Sequence, residues 1–221
     1  MTTTTTPATT THLAQLHLDL TNRNVLSDLR DHTNLHRRIS GLFPDNTGTA
    51  PRTAYNVLYR LERTENTATL LVQSTGITIN RTALPAGYTT NPVEYRDLTP
   101  LLGWLTPGTA VRYRIDANPI KAVLVPGRRG RRTALRGDDA VIWWQQRANR
   151  NGIDPTLILD SPNAPVLASR NGAQRAKIAS VRFEGIATIT EPTALRHAIT
   201  TGIGQGRAYG LGLLSIAPHQ H

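Results

Sequence analysis

The stretch Val111-Arg112-Tyr113-Arg114-Ile115-Asp116 alternates apolar with charged side chains. Because successive side chains of a strand point to opposite faces, this alternation predicts a strand with one face in a core and the charged face outside. Apolar residues at helical spacing then predict a helix over residues 138–149, with Gly137 or Asp138 at its N-cap. The side chains expected to face the core from this helix are Val141, Ile142 and Trp144.

Outward from this stretch, the second half of the chain continues as alternating strand and helix patterns. Strands are predicted at residues 157–168 and 178–190, a short helix at 192–200 and a last strand at 209–217. The order is therefore strand, helix, strand, strand, helix, strand, which is the ferredoxin-like βαββαβ order.

The first half shows the same order less clearly. Leu16, Leu18 and Leu20 alternate as in a strand, and a polar loop separates them from a helix with Leu35 and Ile39 on its apolar face and Asp31 as its cap. Runs at residues 54–63 and 68–74, joined by a polar turn, predict a hairpin. A weaker helix near 82–84 and a strand near 93–95 complete the order.

We therefore predict an α+β protein of two tandem ferredoxin-like (βαββαβ) domains. Prolines and glycines cluster within residues 76–108, which places the connection between the two halves there. The predicted segments are a disordered, threonine-rich tail at 1–11, an N-terminal domain at 12–90, a linker at 91–108 and a C-terminal domain at 109–218.

The composition narrows the classes of partner. Lys+Arg outnumber Asp+Glu by 25 to 15 in the 221 residues, which gives a formal net charge of +10 and favours an anionic partner, nucleic acid first, over an idle basic surface. The absence of cysteine excludes disulfides, thiolate catalysis and Cys-ligated zinc. No apolar run is long enough to cross a membrane and no signal-peptide pattern is present, so we expect a soluble, cytoplasmic protein without a membrane partner.

An arginine cluster is the first candidate for nucleic-acid contact. The residues involved are broken by glycines and lack apolar neighbours, so we interpret them as a solvated loop. Clustered arginines repel one another unless a polyanion is near, which favours RNA contact over a merely solubilising role. The cluster consists of Arg128, Arg129, Arg131, Arg132 and Arg136.

Two further segments are candidates for RNA contact. Of the 25 basic residues only Lys121 and Lys177 are lysine, so each is a candidate for a place that needs a compact ammonium. The glycine segment, residues 202–212, lies between a helix and a strand, the reverse of a nucleotide-binding loop, and so argues against a nucleotide cofactor. Its glycines either let the backbone approach RNA, with Gly204, Gly206 and Arg207 as contacts, or pack between the domains.

Among the histidines, His36 lies one residue from the apolar stripe of the first helix. An imidazole at the edge of a core can exchange protons near neutral pH, although an ordinary boundary histidine would occupy the same place. His32 lies one turn earlier on the same side. No third ligand is evident beside this pair, so we predict no metal site and no cofactor.

Taken together, several motifs resemble the CasE family of CRISPR-repeat endoribonucleases from type I-E systems, within the Cas-six group. The resemblance covers about residues 13–218, and its motifs are specific in their order and spacing. They are Leu35-His36 with Gly41-Leu42-Phe43-Pro44, Ala117-Asn118-Pro119-Ile120-Lys121, Lys177-Ile178 with Phe183-Glu184-Gly185, Gly202-Ile203-Gly204, and Tyr209-Gly210-Leu211-Gly212-Leu213-Leu214-Ser215-Ile216-Ala217-Pro218.

The resemblance implies tandem ferredoxin-like domains and cleavage of a repeat stem-loop at the stem base without a metal. The RNA's own 2′-hydroxyl would attack the adjacent phosphate, leaving a cyclic phosphate. His36 matches the family's catalytic histidine, as general base or general acid, and Arg175 and Lys177 match its basic pair near the scissile phosphate. Asn118 belongs to a matching motif and is a further RNA-binding candidate. The arginine cluster would enter the groove of the stem.

One position departs from the family pattern. Thr33 stands where members often have a tyrosine, three residues before the histidine, and its hydroxyl can position water but cannot replace a phenol. Either His36 acts with Lys177, or His32 assists, or the reaction is slow. The alternatives are a nuclease that stays on its product within a multi-subunit surveillance complex, a non-cleaving RNA-binding subunit of that complex, and a ribosome-type RNA binder.

Overall fold

The computed structural model describes residues 10–45, 50–125, 128–170 and 174–219, with the backbone alone at 123–125, 128–131, 170, 174 and 175. The first half of the chain forms a four-stranded antiparallel sheet in the order β2-β3-β1-β4. Its strands and helices in chain order are β1 (Thr11–His17), α1 (Arg23–Arg30), α2 (His32–Ser40), α3 (Pro51–Ala54), β2 (Leu58–Arg63), β3 (Ala68–Thr75), a 3₁₀ helix (Arg81–Ala83) and β4 (Glu94–Asp97).

The second half builds another four-stranded antiparallel sheet in the order β12-β5-β11-β8. Its elements are α4 (Thr99–Trp104), β5 (Ala110–Ala117), β6 (Ile120–Val125), β7 (Arg128–Ala134), α5 (Asp138–Arg150), β8 (Ile153–Pro162), β9 (Val166–Arg170), β10 (Gln174–Ile178), β11 (Val181–Ile189), α6 (Pro192–Thr201), a 3₁₀ helix (Arg207–Tyr209) and β12 (Ser215–Pro218).

The prediction of two tandem ferredoxin-like folds is confirmed. When the four strands of each main sheet are numbered 1 to 4 in chain order, both sheets have the spatial order 4-1-3-2. The βαββαβ connectivity produces this order. Two hairpins lie outside the main sheets: β6 with β7, inserted before α5, and β9 with β10, inserted before β11.

Each sheet buries one face under its helices. Leu35 and Ile39 of α2 pack on the first sheet with Leu16, Tyr59 and Leu70. The Trp144 ring of α5, fully buried, stacks on Phe183 of β11 with 5.6 Å between ring centroids. In the part of the chain that the structure describes, no helix is long and apolar enough to cross a membrane.

Buried polar side chains join the two halves. The Arg60 guanidinium donates hydrogen bonds to the carbonyl oxygens of Arg114 (3.3 Å) and Leu213 (3.1 Å) and pairs with Glu62. The Gln73 amide donates to the carbonyl of Ile199 at 2.7 Å. These bonds satisfy polar groups that burial would otherwise leave unpaired, so they hold the halves in one arrangement.

Five expectations about local structure are wrong. The arginine segment expected to be a solvated loop is largely the strand β7, because pairing with β6 in a hairpin outside the main sheets satisfies its backbone hydrogen bonds. The polar loop after the first strand contains α1, capped by Asn22. Ile142 is 55% exposed instead of facing the core. Asp116, expected on the outer face, is buried against Arg182.

The fifth correction concerns strand boundaries in the second half. The strand expected at residues 157–168 is β8 and β9, interrupted at 163–165, and that expected at 178–190 is preceded by β10. The last strand begins at Ser215, later than expected, because Gly210 and Gly212 adopt positive φ angles that a strand does not allow.

The expected tail and the expected linker each contain part of a regular element. Thr11, at the end of the expected tail, begins β1, and residues 1–9 lie outside the described part of the chain. The expected linker, residues 91–108, contains β4, which pairs with β1, and the helix α4.

Candidate functional site

The helix α2 carries His36 and is capped by Asp31, as the sequence predicts. The Asp31 carboxylate accepts a hydrogen bond from the backbone N–H of Thr33 at 2.8 Å, which satisfies a donor at the first turn. Leu35 and Ile39 anchor the helix in the core. His36, next to Leu35 in sequence, is consequently half-buried at the margin of the core.

The surroundings of His36 lower the pKa of its imidazole. Burial is the main cause, and the positive charges of Arg52 and Arg37 act in the same direction. The ring of Tyr209 lies against the imidazole, with 6.4 Å between ring centroids and an angle of 59° between their planes. His36 is therefore neutral over a wider range of pH than a free histidine and is able to accept a proton.

The hairpin of β9 and β10 docks on the start of α2 through Ser169. The Asp31 carboxylate accepts hydrogen bonds from the Ser169 backbone N–H at 3.2 Å and from the Ser169 hydroxyl. The Thr33 hydroxyl donates to the Ser169 carbonyl at 3.1 Å. Burial alone would raise the pKa of Asp31, but the hydrogen bonds from Ser169 and Thr33 hold it at about 2.

This docking brings the predicted basic pair to α2. In the hairpin register Arg175 lies opposite Ser169, and Lys177 lies opposite Leu167. Directly opposed residues share one face of a hairpin, so the exposed Lys177 belongs to the face on which Ser169 meets α2. The side chain of Arg175 lies outside the described residues.

Thr33 does not present a free hydroxyl to the site. Its oxygen is committed to the Ser169 carbonyl, so the threonine at this position fastens the hairpin to α2. The aromatic ring beside His36 comes instead from Tyr209, 173 positions further along the chain than His36, in the 3₁₀ helix Arg207–Tyr209.

The glycine segment positions Tyr209 because it packs between the two halves. The buried Tyr59 of β2 donates its hydroxyl hydrogen to the Ala208 carbonyl at 2.9 Å. Gly210 has a φ angle of +84°, and a Cβ atom there would lie 2.8 Å from the Tyr59 ring. Of the two interpretations that the sequence left open, packing between the halves accounts for Gly210.

The Arg207 guanidinium, a predicted RNA contact, donates to the Thr201 carbonyl at 2.7 Å and is turned towards its own segment. Gly206 has a φ angle of +85°, and a Cβ atom there would lie 2.8 Å from Leu211. Gly204 has a φ angle of +83°, but an added Cβ would meet only the Trp143 ring, at 3.7 Å.

Several predicted RNA contacts meet at the base of the hairpin of β6 and β7. Asn118, Arg132 and Gly204 line a cavity of about 260 Å³ with Trp143 and Arg147, two residues that the sequence analysis missed. The Arg132 guanidinium donates to the Gln205 amide oxygen at 3.0 Å, and Asn118 has a buried Oδ1 without a hydrogen-bond partner among the described residues. The Arg147 guanidinium lies 5.5 Å from the centroid of the Trp143 ring.

Lys121 is exposed and lines a neighbouring cavity of about 340 Å³ with Trp143 and Arg150. Arg136 is exposed beyond the end of β7. Arg128, Arg129 and Arg131 are in β7, and their side chains are not among those described. Trp143, Arg147 and Arg150 recur at helical spacing along α5, which was the signal in the sequence for this extension of the surface.

Fold and side chains together define a tandem ferredoxin-like protein with a half-buried histidine beside one hairpin and a basic surface on another. A family model described as "CRISPR associated protein" matches residues 11–218. The chain is 31% identical over 199 residues to the CRISPR system Cascade subunit CasE of Escherichia coli (strain K12), covering 86% of this chain and 93% of that protein. The chain therefore belongs to the CasE family of CRISPR-associated proteins.

Two comparisons with a second relative agree. The chain is 32% identical over 126 residues to the CRISPR-associated endoribonuclease Cse3 of Thermus thermophilus, covering 52% of this chain and 58% of that protein. The structure of Thermus thermophilus Cse3 bound to an RNA representing a pre-cleavage complex superimposes with a TM-score of 0.78 at 26% identity, covering 95% of this chain and all of that chain.

Proposed function

We propose that the protein is a CRISPR RNA endoribonuclease that binds the repeat stem-loop and cleaves it at the base of the stem. The observation that carries this proposal is the half-buried His36 imidazole, which meets Tyr209 on one side and lies on the helix where the Lys177 hairpin docks. The RNA-bound Cse3 relative and the Cascade subunit CasE support the substrate class.

The reaction needs proton transfer and charge stabilisation. The 2′-oxygen attacks the adjacent phosphorus while the bond from phosphorus to the 5′-oxygen breaks. The products are a 2′,3′-cyclic phosphate and a 5′-hydroxyl, and no metal ion takes part. His36 either removes the 2′-hydroxyl proton or delivers one to the leaving oxygen, and its lowered pKa favours the neutral form that a general base requires.

The charge that accumulates on the phosphate in the transition state requires cations close by. Arg175 and Lys177 lie two residues apart on β10, in the hairpin that docks on α2. We assign them to the non-bridging phosphate oxygens, where a preorganised cation lowers the barrier. Thr33 supports this arrangement indirectly through Ser169.

The basic surface of β7 and α5 supplies affinity for the RNA stem. A β-hairpin fits a nucleic-acid groove, and arginine binds phosphate bidentately and recognises guanine edges. Arg128, Arg129, Arg131, Arg132 and Arg136 carry this role, with Asn118, Lys121 and Gly204 at the hairpin base. Gly206 and Arg207 are assigned to the same RNA face through the backbone of the glycine segment.

The second candidate function is a non-cleaving RNA-binding subunit of the same complex. The observation that favours it is Thr33, whose hydroxyl is bonded to Ser169 and leaves α2 without a phenol of its own. For either function we propose that the protein works in the cytoplasm, within a type I-E surveillance complex and on its RNA. We also propose a division into an N-terminal and a C-terminal domain, with the C-terminal domain as the main RNA-binding unit.

Labelled repeat RNA incubated with the protein in EDTA tests this proposal. We expect a product with a cyclic phosphate end from the wild-type protein, no product from His36→Ala at unchanged RNA affinity, and full activity from His197→Ala, an exposed histidine of α6. Tight binding without cleavage by the wild-type protein would favour the non-cleaving subunit. Cleavage by His36→Ala would show that another group acts in its place.

A further inference from the structure

A third cavity lies between the two halves of the protein, next to the residues that surround His36. Its volume is about 670 Å³, and it is lined by residues of both sheets and of the loop before β9. Tyr209 belongs to its wall and also contacts His36, so the cavity opens beside the proposed reaction centre. It is separate from the basic surface at the base of the β6–β7 hairpin.

One buried polar atom in the wall of this cavity lacks a hydrogen-bond partner among the described residues. His32, one helical turn before His36, lines the wall, and its Nδ1 is buried without a hydrogen-bond partner among the described residues. Most buried polar atoms in proteins are hydrogen-bonded, so an unpaired one in a cavity wall indicates a group supplied from outside. Burial also lowers the pKa of His32, although the Leu167 carbonyl and Asp31 act in the opposite direction.

The charges of the cavity favour an anion. Arg30 and Arg63 are exposed at its edge, and neither forms an ion pair within the described part of the chain, whereas Arg182 is neutralised by Asp116 in a two-bond pair at 2.8 and 2.9 Å. Glu65 lines the same edge with a negative charge. Two available guanidinium groups against one available carboxylate leave a net attraction for phosphate.

We propose that this cavity binds the unpaired nucleotide that flanks the base of the RNA stem. Its base stacks on Tyr209 and hydrogen-bonds to His32, while Arg30 and Arg63 hold its phosphate. Stacking on an aromatic ring tolerates any base, so the site reads an unpaired nucleotide without demanding a sequence. The inference rests on the proposed function and extends it to the single strand beside the stem, on either its 5′ or its 3′ side.

Equilibrium binding of RNAs with and without unpaired nucleotides tests the site. The stem-loop alone is compared with the stem-loop carrying two unpaired nucleotides at the 5′ side or at the 3′ side, with a 2′-deoxy sugar at the cut site to prevent cleavage. We expect one of the two flanks to tighten binding to the wild-type protein about tenfold, the gain typical of stacking one base. The flank that tightens binding identifies the strand in the cavity.

The same measurements on variants locate the gain. In a double-mutant cycle, His32→Ala and Arg63→Ala should each remove most of the gain in affinity that the flank provides. Glu65→Gln should increase this gain. Arg96→Ala, at the opposite edge of the first sheet, should leave the gain at the wild-type value. Arg63 is exposed, so its variant keeps the test valid if His32→Ala fails to fold.

The outcomes separate the two proposals. No gain from either flank, or a gain that His32→Ala and Arg63→Ala both retain, would overturn the cavity assignment while leaving binding and cleavage of the stem-loop intact. Absence of any binding or cleavage of the stem-loop itself by the wild-type protein would instead overturn the proposed function.

Discussion

The Asp31 carboxylate accepts hydrogen bonds from both the backbone N–H and the hydroxyl of Ser169, 138 residues further along the chain. The same carboxylate caps the helix that carries His36. One side chain therefore caps the start of a helix in the first half of the chain and anchors the hairpin with Lys177 in the second half. The relative position of the imidazole and the ammonium depends on this residue.

Replacing Asp31 should weaken both attachments. We expect Asp31→Ala to lower the free energy of unfolding by about 2–3 kcal/mol, the sum of a lost cap and lost hydrogen bonds to a charged group. The cleavage rate should decrease by more than the loss of folded protein explains, because the hairpin with Lys177 loses its anchor on α2. Thermal unfolding and single-turnover cleavage measure the two effects, and Asp45→Ala, an exposed aspartate just after α2, is the matched control.

Asp31 also predicts an acid limit to stability. Its pKa is about 2 in the folded protein, below the usual 3.8, so the folded state favours the charged form. The stabilisation is complete above pH about 4 and disappears as the pH falls towards 2. The free energy of unfolding, measured with denaturant between pH 6 and pH 2, should therefore fall more steeply for the wild-type protein than for Asp31→Asn. Parallel curves for the two proteins would contradict this prediction.

Tyr209 should set the pH dependence of cleavage through His36. Its ring lies against the imidazole, and burial is the main cause of the lowered pKa of His36. We expect the limb of the pH–rate profile assigned to His36 to have an apparent pKa below the usual histidine pKa. Tyr209→Ala should move this limb to higher pH and lower the cleavage rate about tenfold. Tyr209→Phe keeps the ring and should keep the profile. A loss of activity in Tyr209→Phe equal to that in Tyr209→Ala would instead assign the phenol hydroxyl to the chemistry.

Gly210 should be intolerant of any side chain. A Cβ atom there would lie 2.8 Å from the Tyr59 ring, and the φ angle of +84° disfavours other residues. We expect Gly210→Ala to destabilise the protein by about 2 kcal/mol or more. Gly103→Ala is the control: no atom lies within 4 Å of a Cβ at this position in α4, so it should be neutral or slightly stabilising. Thermal unfolding of the two variants decides the comparison.

The arginines of β7 should account for much of the salt dependence of RNA binding. Replacing Arg128, Arg129, Arg131 and Arg132 with alanine should weaken binding and reduce the slope of log affinity against log salt by about one for each phosphate that loses its arginine. Arg96→Ala, on β4 of the first sheet, should leave the slope as it is. An unchanged slope in the fourfold variant would assign the phosphate contacts to other residues.

Local patterns in the sequence predicted the order of the elements. The alternation around Tyr113, the helix predicted over residues 138–149 and the Asp31 cap are short-range signals of this kind, and the structure contains all three. The strand β7 was missed because its residues lack an apolar face, and strand formation there depends on pairing with β6 instead of on burial.

The sequence by itself therefore determined the fold class, the excess positive charge and His36 as a candidate, since periodicity and composition are properties of the chain alone. Only the tertiary structure decided which side chains surround His36. Tyr209 and Ser169 reach α2 across more than 130 residues, and such contacts depend on how two separately patterned halves pack together. It also decided the role of Thr33, because a hydroxyl acquires its function from its partner, and that partner is the Ser169 carbonyl.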